Sequence, residues 1–132
     1  MNYSITYEPI DKIIIATVHG DASLGLMSKM LTDITDHMKE TNSHRLINDM
    51  RDARLKMSLL DITALPGMLQ AAAFSRQLNL KKLKRALVSD KRHEMLEMQE
   101  VITRYVGSQF KHFYTVDDAK QWLIEAHEMT LA

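Results

Sequence analysis

Ile13-Ile14-Ile15-Ala16-Thr17-Val18 is an unbroken run of β-branched and small residues, and its reading decides the fold. A strand that turns one face to water alternates apolar and polar residues. This one does not, so it reads as a central strand covered on both faces. Immediately upstream, Tyr3, Ile5 and Tyr7 alternate with Ser4 and Thr6, the period-two pattern of a second strand. Glu8-Pro9-Ile10-Asp11 lies between them as a turn, with Pro9 fixing φ and Asp11 able to bond its own backbone. So short a connection implies an antiparallel pair.

Downstream, Gly20 is expected to end the strand. Leu24, Met27, Leu31, Ile34 and Met38 then follow at steps of three and four, one face of a long helix that stops at Thr41-Asn42-Ser43. Leu46-Ile47 reads as a short third strand giving way to the polar residues Asn48, Asp49, Arg51, Asp52 and Arg54. Ser58-Leu59-Leu60-Asp61 is a helix start, its hydroxyl placed to accept from the first turn and its carboxylate at the positive helix end. Pro66 suggests that this helix stops near Ala64 and a second restarts with proline in its first turn, facing inward through Met68, Leu69, Ala72 and Ser75. After the basic connector Leu80-Lys81-Lys82-Leu83-Lys84-Arg85, Ala86-Leu87-Val88 is a fourth strand. Met95, Met98, Ile102 and Tyr105 mark a helix closed by Gly107, and Phe110 to Tyr114 is a fifth strand. Thr115 and Asp118 cap a last helix with Ala119, Trp122, Leu123 and Ala126 inward, and Trp122 is expected to anchor it on the sheet. Strands alternating with helices give an α/β fold: five strands in a mainly parallel sheet with one antiparallel edge strand, and helices on both faces.

The 132 residues suit one domain with a conventional core. Seventeen basic and seventeen acidic residues cancel, which argues against a nucleic-acid binder or a polybasic membrane binder. The absence of cysteine excludes a disulfide scaffold, Cys-ligated zinc and thiol chemistry. No apolar run approaches the roughly 20 residues that cross a bilayer, and the start lacks a signal-peptide pattern, so no membrane insertion and a cytoplasmic location are expected.

Four stretches carry a family resemblance. They are the opening strand pair; Leu46-Ile47-Asn48-Asp49-Met50-Arg51-Asp52; Lys84-Arg85-Ala86-Leu87-Val88-Ser89; and Phe113-Tyr114-Thr115-Val116-Asp117-Asp118-Ala119-Lys120-Gln121-Trp122-Leu123. Together they resemble the STAS domain, in particular the SpoIIAA-like proteins of bacteria, over nearly the whole chain. The resemblance implies a four-helix α/β domain and a non-enzymatic regulatory or binding module. Anti-sigma-factor antagonists of this family are switched by phosphorylation of a Ser or Thr between the third strand and the second helix. Ser58 holds that place here, although Met57 stands where the family motif has an acidic residue and no glycine follows. Members related to Sec14-type domains suggest a second reading, a carrier of a small apolar or lipid-like ligand.

In parallel sheets ligands sit outside the carboxyl ends of the strands, so Asp21, Asp49, Asp52, Ser89 and Asp90 form the candidate polar site, with His19 beside them. The same residue types also serve as caps and turn formers, Asp21 and Ser58 for helices among them. Asp49 and Asp52, three apart, would point to opposite faces of a regular strand, a poor start for a Mg²⁺ site. The six histidines lack zinc-site spacing, and no phosphate-loop or nucleophile-elbow motif occurs, so no cofactor and no metal are expected. Ten methionines, several on helix faces, suggest an apolar pocket or partner groove around Met57, Leu60, Met68 and Leu69. The same group is the expected contact of a homodimer.

Overall fold

The computed structural model describes residues 2–90 and 109–131. Its strands are β1 (Tyr3–Glu8), β2 (Ile13–Ala22), β3 (Arg45–Leu55), β4 (Lys84–Val88) and β5 (Gln109–Phe113). Its helices are α1 (Leu24–Thr41), α2 (Leu59–Ser75) and α3 (Val116–Leu131), with a 3-10 turn at Leu80–Lys82. The sheet runs β1-β2-β3-β4-β5, β1 antiparallel to β2 and every other pair parallel. This is the expected α/β architecture. The helix expected around Met95 to Tyr105, with its cap at Gly107, lies outside the described residues.

The β2 run is buried on both sides, as its composition requires. Ile14, Ala16 and Val18 face the larger core, where Met27, Met30, Leu31, Ile34 and Met38 of α1 and Ile62, Leu65 and Leu69 of α2 pack. Ile13 and Ile15 face the smaller core with Ile47, Ala86 and Val88, covered by Ala119 and Leu123 of α3. Trp122 is only partly buried and packs against Phe113, with ring centroids 5.6 Å apart. The anchoring of α3 therefore falls mainly to its two fully buried neighbours. Lys120 adds an ion pair to Glu8 at 2.8 Å.

Three boundaries differ from the sequence reading, each for a physical reason. Gly20 does not end β2; it sits inside the strand with φ +78°, a conformation that glycine adopts without steric cost. β3 is eleven residues long, because its polar half pairs with β2 all the way to Ala22↔Leu55. α2 is one continuous helix through Pro66. Proline costs it a hydrogen bond to Ile62, and burial of Pro66 beside Ile62, Leu65, Leu69 and Ala73 holds the helix together. The inward face is thus 62, 65, 66, 69 and 73, with Met68 and Ala72 at its margin and Ser75 exposed. The end of α1 is as expected: Asn42 takes the left-handed φ of +54° that stops it.

Candidate functional site

The register of β2 on β3 builds the polar edge. Thr17 pairs with Asp49 and His19 with Asp52, so β3 advances three residues where β2 advances two. The extra residue is a β-bulge, and it cancels the alternation that would put Asp49 and Asp52 on opposite faces. Both carboxylates lie on the face that carries Thr17 and His19. β4 ends at Val88, opposite Asp49, so the rest of β3 runs on as a two-stranded ribbon with β2. Asp21, Asp52 and Arg54 stand along this ribbon, not in a crevice at the strand ends.

Two carboxylates of the ribbon, Asp49 and Asp21, are each held by an arginine. Asp49 is buried and accepts from Arg51 Nε at 2.9 Å, from its Nη2 at 2.8 Å and from its backbone N–H at 3.2 Å. Burial alone would raise the Asp49 pKa; the Arg51 bonds and charge, with a smaller contribution from His19, outweigh it and hold the carboxyl below its ordinary range. Asp21 accepts from Arg54 Nε at 2.9 Å. Asp52 lies 3.8 Å from His19 Nδ1, both exposed. Asp21 is therefore a ribbon residue and not a helix cap; the cap of α1 is Ser23, whose hydroxyl accepts from Leu26 N–H at 3.2 Å. Ser89 is buried, its N–H donating to the Phe113 carbonyl at 3.1 Å and its carbonyl 2.9 Å from His112 Nε2. Asp90 is exposed beside it. Among the described residues no three His, Asp or Glu side chains gather as a metal site. The arginines at 51 and 54, whose pairing the sequence reading missed, neutralise two of the ribbon's three carboxylates, Asp49 and Asp21.

Ser58 is the N-cap of α2. Its hydroxyl accepts from Asp61 N–H at 3.1 Å, while the Asp61 carboxylate accepts from Ser58 N–H at 3.1 Å, a reciprocal capping box. The apolar group expected around it divides. Leu69 is buried in the core, Met57 and Met68 pack partly against that core, and Leu60 is 79 % exposed. The four do not form one shared surface.

What the sequence reading did not find is the outer face of α2. Leu60, Ala64, Gly67, Ala71 and Phe74 are all exposed, Phe74 to 86 %, and positions 60, 67 and 74 recur every seven residues. No charged residue occurs between Asp61 and Arg76. The helix is apolar on its buried side, and on its solvent side this stripe is flanked by the uncharged polar residues Thr63 and Gln70. Two clefts lie at the opposite end of the parallel strands, of about 420 Å³ beside Lys12, Ser43 and Arg45, and about 310 Å³ beside Lys39, His44 and Lys82. Burial and, to a smaller extent, the nearby Lys82 charge lower the His44 pKa.

No protein-family model matches the chain, and no curated protein matches it. Among solved structures it is similar to an uncharacterized protein of the DUF3478 family with a SpoIIAA-like fold from Shewanella loihica PV-4. The two share 14 % sequence identity with a TM-score of 0.59, over 92 % of this chain and 91 % of that one. The likeness establishes a SpoIIAA-like fold. Among the described residues no helix is long and apolar enough to cross a membrane.

Proposed function

We propose that the chain is a non-enzymatic regulatory module that works through a protein surface, the outer face of α2, and that a second copy of the chain docks there. The observation that carries this reading is the exposed, uncharged stripe of Leu60, Ala64, Gly67, Ala71 and Phe74. Two large residues end the stripe and small ones fill its middle. Leu60 and Phe74 each lie seven residues from Gly67. An antiparallel crossing of two α2 helices about a two-fold axis at Gly67 therefore sets Leu60 of one copy opposite Phe74 of the other, twice. That is the self-complementarity an isologous dimer needs. The small central residues let the backbones approach, and the antiparallel helix dipoles attract.

Ser58 gives this face a switch. It is exposed, two residues before the start of the stripe at Leu60 and next to the exposed Leu59. A phosphate there would add close to two negative charges within reach of Asp61 and disturb the capping box. Both effects disfavour an apolar contact at Leu60. The SpoIIAA-like fold supports the regulatory reading, and on the ribbon Asp21 and Asp49 are each engaged by an arginine.

A 17-residue helix is about 25 Å long, so the contact sits at the small end of stable interfaces. Sedimentation velocity should show dimers at tens of micromolar, monomers for Phe74→Asp, and a weaker dimer for Ser58→Glu. A wild-type monomer at high micromolar concentration, or a Phe74→Asp protein as dimeric as wild type, would reject the reading.

A further inference from the structure

The net charge of zero conceals a segregation. Where the parallel strands begin, Lys12 and Arg45 line the larger cleft and Lys39 and Lys82 the smaller one. Among the described residues none of the four makes an ion pair. Asn42 and His44 line both clefts, so the two share a wall. One carboxylate, Asp11, lines the larger cleft, where its charge also acts on Lys120 of α3; none lines the smaller. Glu40 follows Lys39 at the end of α1 but lines neither. Like charges press on one another here. Lys82 adds to the burial that lowers the His44 pKa, and Arg45 adds to the burial that lowers that of Lys84 on the neighbouring strand. Helix ends do not account for all of these cations. Lys39 answers the carbonyl end of α1, and Arg76 answers that of α2 through its bond to the Ala72 carbonyl at 3.0 Å. Lys12, Arg45 and Lys82 are surplus.

The walls of the clefts are tied together. The Ser43 hydroxyl donates to the Lys12 carbonyl, Arg45 Nη1 to the Asp11 carbonyl at 2.7 Å, and the Lys84 N–H to the His44 carbonyl at 2.8 Å. Lys12, Asn42 and Gln77, the three non-glycine residues with left-handed backbone among the described residues, all line the clefts. Asn42 and Gln77 close α1 and α2. Lys12 closes no helix, and glycine would hold its φ of +53° without steric cost. A charge thus stands where the backbone disfavours any side chain. We propose that the two clefts together bind a multiply charged phosphate group, held by Lys12, Lys39, Arg45 and Lys82. Charge selects the class. Four cations against one carboxylate leave an excess that a single carboxylate ligand does not neutralise, whereas a phosphate monoester or diphosphate carries about two or more negative charges. Arg45 supplies a planar donor fork, the lysines supply point charges, and Asn42 and His44 add donors from the shared wall. A soluble phosphate ester and a lipid head group offer the same chemistry, and Ile10, 90 % exposed on the rim of the larger cleft, is placed to meet the acyl region beneath a head group. This site is separate from the outer face of α2 and stands whether or not that face binds a second copy.

The probe is inorganic pyrophosphate at constant ionic strength, with acetate as the monovalent control, titrated into wild type and into the Phe74→Asp protein so that the result does not depend on docking at α2. The His44 ring resonances should shift saturably, and the His44 titration midpoint should rise when pyrophosphate is bound, because the anion favours the imidazolium. Lys12, Lys29 and Lys82 are all exposed, so their serine variants keep the fold. Lys12→Ser and Lys82→Ser should each weaken pyrophosphate about threefold or more, and together about tenfold or more. Lys29→Ser, which removes the same charge from α1 outside both clefts, should leave the affinity unchanged. Flotation with phosphatidylcholine vesicles holding about one phosphatidic acid in five separates the sources. Flotation that pyrophosphate displaces and Ile10→Ser weakens assigns the phosphate to a head group; saturable pyrophosphate binding without flotation assigns it to a soluble ester. No saturable shift, an equal response to acetate, or a loss in Lys29→Ser as large as that in Lys82→Ser would overturn the proposal.

Discussion

Replacing Arg51 by alanine should destabilise the fold more than replacing its partner Asp49, although both changes delete the same ion pair. The asymmetry comes from burial. The Asp49 side chain is 10 % exposed and that of Arg51 46 %. Arg51→Ala removes two of the three donors to the carboxylate, at 2.9 and 2.8 Å, and leaves a largely buried charge with one backbone donor. That costs about 2–3 kcal/mol. Asp49→Ala leaves a half-exposed guanidinium that swings into solvent, at about 1 kcal/mol. Acid distinguishes the two further. In wild type the folded carboxyl ionises below its ordinary range, so the pair contributes fully above that range and its contribution is lost as pH falls through the folded value. Without Arg51, burial dominates and the folded carboxyl takes up its proton at higher pH, which removes the penalty. Urea unfolding at pH 7 and at pH 4 should therefore show a gap between the two variants that narrows on acidification. Equal costs at pH 7, or a gap that widens in acid, would refute the reasoning.

Ser58→Ala should cost about 1 kcal/mol, and adding Asp61→Ala should cost less than the sum, because the two residues form one box; thermal melts of the three variants check this. Pro66→Ala restores a helix hydrogen bond worth up to about 3 kcal/mol of propensity, and gives back most of it in lost buried surface and in unfolded-state entropy. Its stability by urea titration should fall within about 1 kcal/mol of wild type. Leu123→Ala should cost about 2–5 kcal/mol and at least as much as Trp122→Ala, since Leu123 is fully buried and Trp122 is not; a larger loss from Trp122→Ala in parallel melts would return the anchor to the indole.

Much of the fold is legible in the chain because local chemistry and tertiary environment agree there. The Ile13–Val18 run, the three-four spacing of α1 and the caps at Ser58 and Thr115 each signal one structure, and each is found, Thr115 accepting from Asp118 N–H at 3.1 Å. The failures occur where a long-range partner overrides the local signal. Asn48 to Arg54 reads as a polar loop because charged residues dominate it, yet pairing with β2 makes it a strand. The bulge that unites Asp49 and Asp52 on one face has no sequence signature at all. Pro66 reads as a break because helix propensity is local, whereas the burial that overrides it is not. Arg85 reads as the end of a basic connector, since nothing in Lys84-Arg85-Ala86 says which residue turns inward; only the register with Leu46 settles it.

The central claim, that a second copy docks on the outer face of α2 about a two-fold axis at Gly67, can be tested by a covalent trap. The chain has no cysteine, and a side chain added at Gly67 meets nothing within 4 Å, so Gly67→Cys introduces one thiol without disturbing the helix. At a two-fold axis the two thiols come within disulfide reach, which needs Cα atoms roughly 4.4–6.8 Å apart. Ile10→Cys, at an exposed turn away from α2, is the control for random collision. Under mild oxidation at micromolar concentration, Gly67→Cys should convert almost wholly to a covalent dimer, and adding Phe74→Asp should abolish the conversion. Cross-linking of Gly67→Cys no faster than that of Ile10→Cys would contradict the claim.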